Sequence, residues 1–163
     1  MLRLERLLPA WLHIAALRIA HRLRVRWWRW SGSAVRGCRV LVLDPAGQVL
    51  LIRHSYDAGR WMLPGGGLAR GEAPESAALR EVREEAGCRL APVVALFRVD
   101  DPASQHETWL VAGWSADAPL ADGREIIEAR FYPADALPGP LGRGLAERLP
   151  DWITAATAAR PAD

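Results

Sequence analysis

Lysine is missing from this chain: all 21 basic residues are arginine. The absence removes the phosphate-gripping lysine of a P-loop, and no G-x-x-x-x-G-K-[ST] run exists to hold one. Alongside so much alanine, arginine-only usage suits a GC-rich bacterial genome and carries no mechanistic information. Cysteine is nearly absent too. Cys38 and Cys88 stand alone without C-x-x-C spacing, so they read as core thiols of a protein in a reducing cytoplasm, a disulfide between them being the alternative. No uncharged run approaches the ~20 residues needed to cross a bilayer. LLPAWLHIAALRIA (residues 7–20) has the length of a signal-peptide core, but His13 and Arg18 break it and no clean cleavage site follows. A cytoplasmic location is therefore expected.

What is present is the balance of one globular domain: 163 residues, half of them hydrophobic and a quarter charged. The net charge of +2 is unevenly spread. Residues 1–30 hold seven arginines against Glu5 alone, which is +6 and leaves −4 for the rest. Within this arm Leu12, Ala15, Ile19 and Leu23 recur at helical spacing after Pro9, with Arg18, Arg22, Arg26 and Arg29 on another face. The pattern predicts a basic amphipathic helix ending in WWRW (27–30). It packs on its own domain or a homodimer partner, or it lies on an anionic membrane surface. Sequence-specific nucleic-acid binding is not expected.

After the joint Ser31-Gly32-Ser33, RVLVLD (39–44) and QVLLIR (48–53) read as strands of a hairpin about a DPAG turn. WMLP (61–64) is a short extended piece. Pro74 to Ala86 reads as a helix capped by Gly87. PVVALFRVD (92–100) and ETWLVAGWS (107–115) form a second strand pair, with Trp109 and Trp114 as core residues. ARFY (129–132) is a last strand, PADALP a helical turn, and residues 142–159 a helix containing Pro150. Strands interleaved with helices predict a sheet covered by helices on both faces.

The stretch GGGLARGEAPESAALREVREEAG (65–87) sets three glycines before an acidic helix. Gly65 and Gly67 lack the third glycine of a dinucleotide fingerprint. At ~100° per residue, Glu81, Glu84 and Glu85 share less than a third of the helix circumference. Like charges so close require something positive among them. Either Arg80, Arg83 and Arg89 neutralise a solvated helix, or a cation binds. All-oxygen ligation selects magnesium or manganese over zinc, and His54 and His106 are too scattered to form a zinc site.

Gly66, Glu72, Arg80, Glu81, Val82, Glu84, Glu85 and Gly87 are spaced so that the segment resembles the signature of the Nudix hydrolases, G-x5-E-x7-R-E-U-x-E-E-x-G-U, where U is a bulky aliphatic residue. Cys88 takes the last aliphatic place, a packing position. The resemblance covers roughly residues 36–138. It implies an α+β fold, a Nudix-type α/β/α sandwich with a mixed β-sheet, over residues 34–163, preceded by the basic helix and joint of residues 1–33. It also implies a metal-dependent hydrolase that cleaves a diphosphate linked to another group, with Mg2+ or Mn2+ as cofactor. A nucleotide or ADP-ribose-like nucleoside diphosphate derivative is the expected substrate class, hinted at by Pro102 fourteen residues after Cys88. A silent nucleotide-ligand sensor with the same fold, and a peripheral-membrane hydrolase of lipid or prenyl diphosphates, are the alternatives.

By the same resemblance, Glu84 and Glu85 are metal ligands, Glu81 a third ligand or the base, and the Gly65 carbonyl a further ligand. Glu72 and Arg80 brace the loop against the helix. Glu125 is expected to supply another catalytic acid, with Glu128 its competitor. From their position beside LPGGG, Arg53, His54 and Arg60, together with Tyr56 and Trp61, are candidate contacts for phosphate or a base, a surface ion pair or core packing being the alternative for each.

Overall fold

The computed structural model describes residues 36–57, 59–100, 107–123 and 125–162. The expectations for the basic helix and joint of residues 1–33, and for Pro102 and His106, lie outside the described residues. Seven elements follow one another: β1 (Arg36–Leu43), β2 (Val49–His54), α1 (Pro74–Ala86), β3 (Val93–Asp100), β4 (Glu107–Trp114), β5 (Ile126–Tyr132) and α2 (Leu145–Ala159). The strands form one mixed sheet in the order β3-β4-β1-β2-β5, in which only β1 and β4 run parallel.

Alternation along the central strands sorts the core onto two faces. Cys38, Val40 and Val42 on β1, with Leu50 and Ile52 on β2, meet the small apolar stripe Ala77, Ala78, Val82 and Ala86 of α1. Leu41, Leu43, Val49 and Leu51 point the other way, onto Leu145, Leu149, Trp152 and Ala156 of α2. Each large aliphatic side chain so enclosed contributes about 1.5–3 kcal/mol, so these two clusters account for most of what holds the layers together. Trp114 joins the α2-side core, and half-buried Trp109 packs against the α1-side core. Cys38 and Cys88 are free buried thiols, and burial pushes the Cys38 thiol up to about 11.

The helix ends follow their local chemistry. Pro74 opens α1, where its missing N–H costs nothing, and Gly87 (φ 69°) closes it with its N–H on the Arg83 carbonyl at 3.2 Å. Two expectations need correction. PADALP is not helical but a tight turn (Ala136 N–H to Pro133 O, 3.1 Å), since Pro138 and Pro140 follow too closely for a helix to propagate. The last strand begins at Ile126, three residues before ARFY, because β2 offers a partner that far along.

The β1–β2 hairpin forms around Asp44, whose Oδ1 accepts the N–H groups of Ala46 (2.9 Å) and Gln48 (2.8 Å). Its strands pair directly only beside this turn, at Leu43 and Val49. Beyond it they part, and residues 61–68 run between them. Cys38 N–H donates to Gly66 O (2.9 Å), Val40 N–H to Pro64 O (2.8 Å) and Leu68 N–H to Arg36 O (2.8 Å). On the other side Ile52 and Met62 exchange both backbone bonds at 2.9 Å. The glycine loop is thus bonded into the middle of the sheet.

Candidate active site

Bonding the loop to β1 dictates its glycines. Gly65 sits at φ 149°, and a Cβ there would collide with the Cys38 carbonyl oxygen and press on Arg39 Cα. At Gly66 a Cβ would instead strike the carboxylate of Glu81. The carbonyls of Pro64 and Gly66 are taken by β1, which leaves that of Gly65 outside the ladder. Its N–H donates to Glu85 Oε2 at 2.9 Å. Helix and loop therefore meet through a carboxylate on a backbone amide.

Glu85 is only 8% exposed. Burial, then the nearby Glu81, Glu125 and Glu84, push its carboxyl up to about 8, against the downward pull of the Gly65 N–H. Glu81 is also raised, chiefly by burial, with Arg80 opposing and Glu84 and Glu125 adding to it. Glu84 is the open end of the cluster, its side chain 63% exposed. Arg80 gathers several of these groups. Its guanidinium holds Glu72 (3.1 and 3.0 Å), the Gly67 carbonyl (3.0 Å) and Glu81 Oε1 (2.6 Å), and lies 3.8 Å from Glu84. Glu72 in turn accepts the Ala69 N–H at 2.7 Å, and the Arg80 and Ala69 bonds hold its carboxyl below the usual range. These contacts tie the loop to the helix.

The two downstream acids part company at β5. Arg53 pairs with Glu128 but His54 pairs with Ile126, so Ile127 is an extra residue, a β-bulge. Before the bulge, the Glu125 carbonyl accepts the Ser55 N–H at 2.8 Å, and its charge reaches both Glu81 and Glu85. Glu128 instead forms an ion pair with Arg53 at 2.8 Å. Sequence reasoning missed Asp122. Its Oδ1 accepts the N–H groups of Glu125 and Ile126, both at 3.1 Å, and so fixes the turn that presents Glu125. The Asp-Gly pair at 122–123 is the local signal for such a turn.

Of the candidate substrate contacts, Arg53 forms an ion pair with Glu128 at 2.8 Å, and its guanidinium lies over the ring of Trp61 (5.3 Å), a member of the α2-side core. Arg60 is exposed and bonds locally through its N–H to Asp57 O (3.2 Å). His54 is on the glutamate side, but it is buried, stacked on Tyr56 (4.7 Å between ring centres, 23°), with Nε2 3.8 Å from Glu85 Oε1. A ring enclosed this way faces a carboxylate rather than an open cleft.

Among the described residues, no three His, Cys, Asp or Glu side chains converge tightly enough to enclose an ion as they stand. The cation engaging Glu81 is Arg80. The donor chemistry nonetheless fits a hard divalent cation. Glu81, Glu84, Glu85 and Glu125 are all-oxygen donors, and the charges of Glu84 and Glu125 help to raise the carboxyls of Glu81 and Glu85; a positive ion would relieve that repulsion.

The NUDIX domain family matches residues 34–152. A Bacillus subtilis protein named "Putative 8-oxo-dGTP diphosphatase" is 34% identical over 104 residues, 63% of this chain and 69% of the relative. A Mycobacterium tuberculosis protein named "Putative 8-oxo-dGTP diphosphatase 2" is 40% identical over 78 residues, 48% of this chain. The match spans about half (51%) of that relative's length. The crystal structure of an ADP-ribose pyrophosphatase from Streptococcus suis shares the fold, with a TM-score of 0.61 at 23% identity over 78% of this chain and 96% of that one.

Proposed function

The chain belongs to the NUDIX family, and on that premise we propose that it is a divalent-metal-dependent pyrophosphohydrolase acting on a nucleoside diphosphate derivative. The observation that carries the reading is the loop–helix junction, where buried Glu85 holds the Gly65 amide amid the charges of Glu81, Glu84 and Glu125. A catalytically silent sensor has no need of four intact carboxylates kept under mutual repulsion. The relatives named for 8-oxo-dGTP and ADP-ribose support the substrate class.

Glu84, Glu85 and the Gly65 carbonyl would hold the metal, with Mg2+ or Mn2+ suiting the oxygen donors. When bound, such an ion neutralises phosphate charge and lowers the pKa of water at the site. Glu81 and Glu125 are the acids left to take the proton of the attacking water. Glu81 must give up Arg80 or share it in order to act. Arg80 stays in place through Glu72 and the Gly67 carbonyl, which keeps the loop fixed while charge shifts along the helix.

Two experiments test this. Release of phosphate-containing products should be followed for 8-oxo-dGTP, ADP-ribose, a dinucleoside polyphosphate and a prenyl diphosphate, with magnesium and with a chelator. Turnover of at least one nucleotide only with magnesium is expected. Preference for the prenyl compound would shift the reading to lipid diphosphates, and binding without any turnover would shift it to a sensor. In the second, Glu125→Gln should lower kcat by about 100-fold or more with little change in KM, whereas Glu128→Gln should cost no more than an exposed ion pair. Two mild variants would return the base to Glu81.

A further inference from the structure

Glu85 reaches its loop partner with one oxygen only. Oε2 holds the Gly65 amide, and Oε1 faces His54 Nε2. A carboxylate tethered at one oxygen still swings about its terminal torsion, which is broad and roughly two-fold. Something on the Oε1 side must fix the plane if Glu85 is to aim consistently at its neighbours. His54 is the last residue of β2 and lies at the register shift that also sends Ile127 out of the ladder. Without the bulge its side chain would not be set by the same backbone step that brings Glu125 forward through the Ser55–Glu125 bond. The ring is itself confined, 6% exposed and stacked on Tyr56.

We propose that His54 is a positioning residue for Glu85: with Tyr56 behind it, the imidazole fixes the outer oxygen of the carboxylate that the Gly65 amide holds on its other side. This rests on Glu85 serving the metal-dependent reaction proposed above. It takes His54 out of the substrate-contact set and gives the β2–β5 bulge a purpose, since one irregularity sets both the brace of Glu85 and the approach of Glu125. At 3.8 Å the contact is longer than a hydrogen bond. Such pairs at catalytic sites commonly tighten when the ligand is present.

The test compares His54→Phe, which keeps a stacking ring and loses the nitrogen, with His54→Gln, which keeps a polar N–H. Binding of Mn2+ alone is measured by calorimetry on the full chain, alongside kcat and KM. Partners that orient a metal ligand typically cost 10–100-fold when removed. His54→Phe should therefore weaken Mn2+ binding roughly tenfold and lower kcat by a similar or larger factor, with KM within about twofold. His54→Gln should recover most of both. If His54→Phe folds poorly, Tyr56→Leu must give the same split of kcat from KM. Parent-like Mn2+ binding and kcat in His54→Phe would overturn the proposal, and so would a raised KM with kcat intact, which marks a substrate contact. Glu85→Gln run in parallel separates the two readings. If it too binds Mn2+ and turns over normally, the metal-site reading has failed. If only Glu85→Gln is impaired, the positioning role of His54 has failed.

Discussion

Glu85→Gln lowers kcat by about three orders of magnitude while making the metal-free protein more stable at alkaline pH; this is the expected outcome. The loss of activity follows from exchanging an anionic oxygen donor for an amide in the most enclosed member of the cluster. The gain in stability follows from linkage. The Glu85 carboxyl rises from 4.5 to about 8 on folding, mainly through burial. Below the lower value both folded and unfolded chains carry the proton. Between the two values the folded chain carries it and the unfolded chain does not. Native stability is therefore fully present on the acid side and drains away as pH rises through this window. A shift of this size corresponds to on the order of 5 kcal/mol, or roughly 15 °C in Tm for a chain of this length. Melting curves of the chelated protein from pH 5 to pH 8.5 should slope downward for the parent and clearly less steeply for Glu85→Gln, in which the raised Glu81 carboxyl keeps part of the slope. Magnesium should raise the parent's Tm most at the alkaline end. Near-parent turnover in the variant would remove Glu85 from the site.

The second large effect belongs to the loop. Gly65→Ala should lower stability by about 3 kcal/mol or more, because the new methyl group meets a backbone oxygen of β1 that has nowhere to go. Relief requires the loop to lift from β1, which breaks the Cys38–Gly66 and Val40–Pro64 bonds together. Gly66→Ala is the informative contrast. Its methyl meets the end of the Glu81 side chain, which can rotate aside. That variant should melt within a few degrees of the parent and lose most of its activity. A Gly65→Ala protein as stable as Gly66→Ala would show that the loop is not anchored in the sheet as described.

What could be read beforehand follows from range. The spacing of Glu81, Glu84 and Glu85 is set within one helix, so their shared face was legible, whereas the pairing of Glu72 with Arg80 came from the family resemblance alone. The Gly87 cap and the Asp44 turn, each decided within four residues, were legible too. Glu125 was preferred over Glu128 on resemblance alone. Their separation depends on Ile127 being extra opposite β2, and no local pattern announces a bulge that answers to a partner strand. The parting of β1 from β2 was invisible for a similar reason: the residues that fill the gap are a dozen positions further along the chain, and each strand looked complete by itself.

The parallel pairing of β1 with β4 bears on how the protein is made. Arg36 lies opposite Glu107, so roughly seventy residues must double back before the central pair can zip, and long-range pairing of this kind slows folding. The first strand, the glycine loop and the acidic helix all leave the ribosome before the strand that locks them in place. Until then, the segment that would bury Glu85 has only half of its scaffold. The enclosed setting of Glu85 is complete only once β4 has paired with β1.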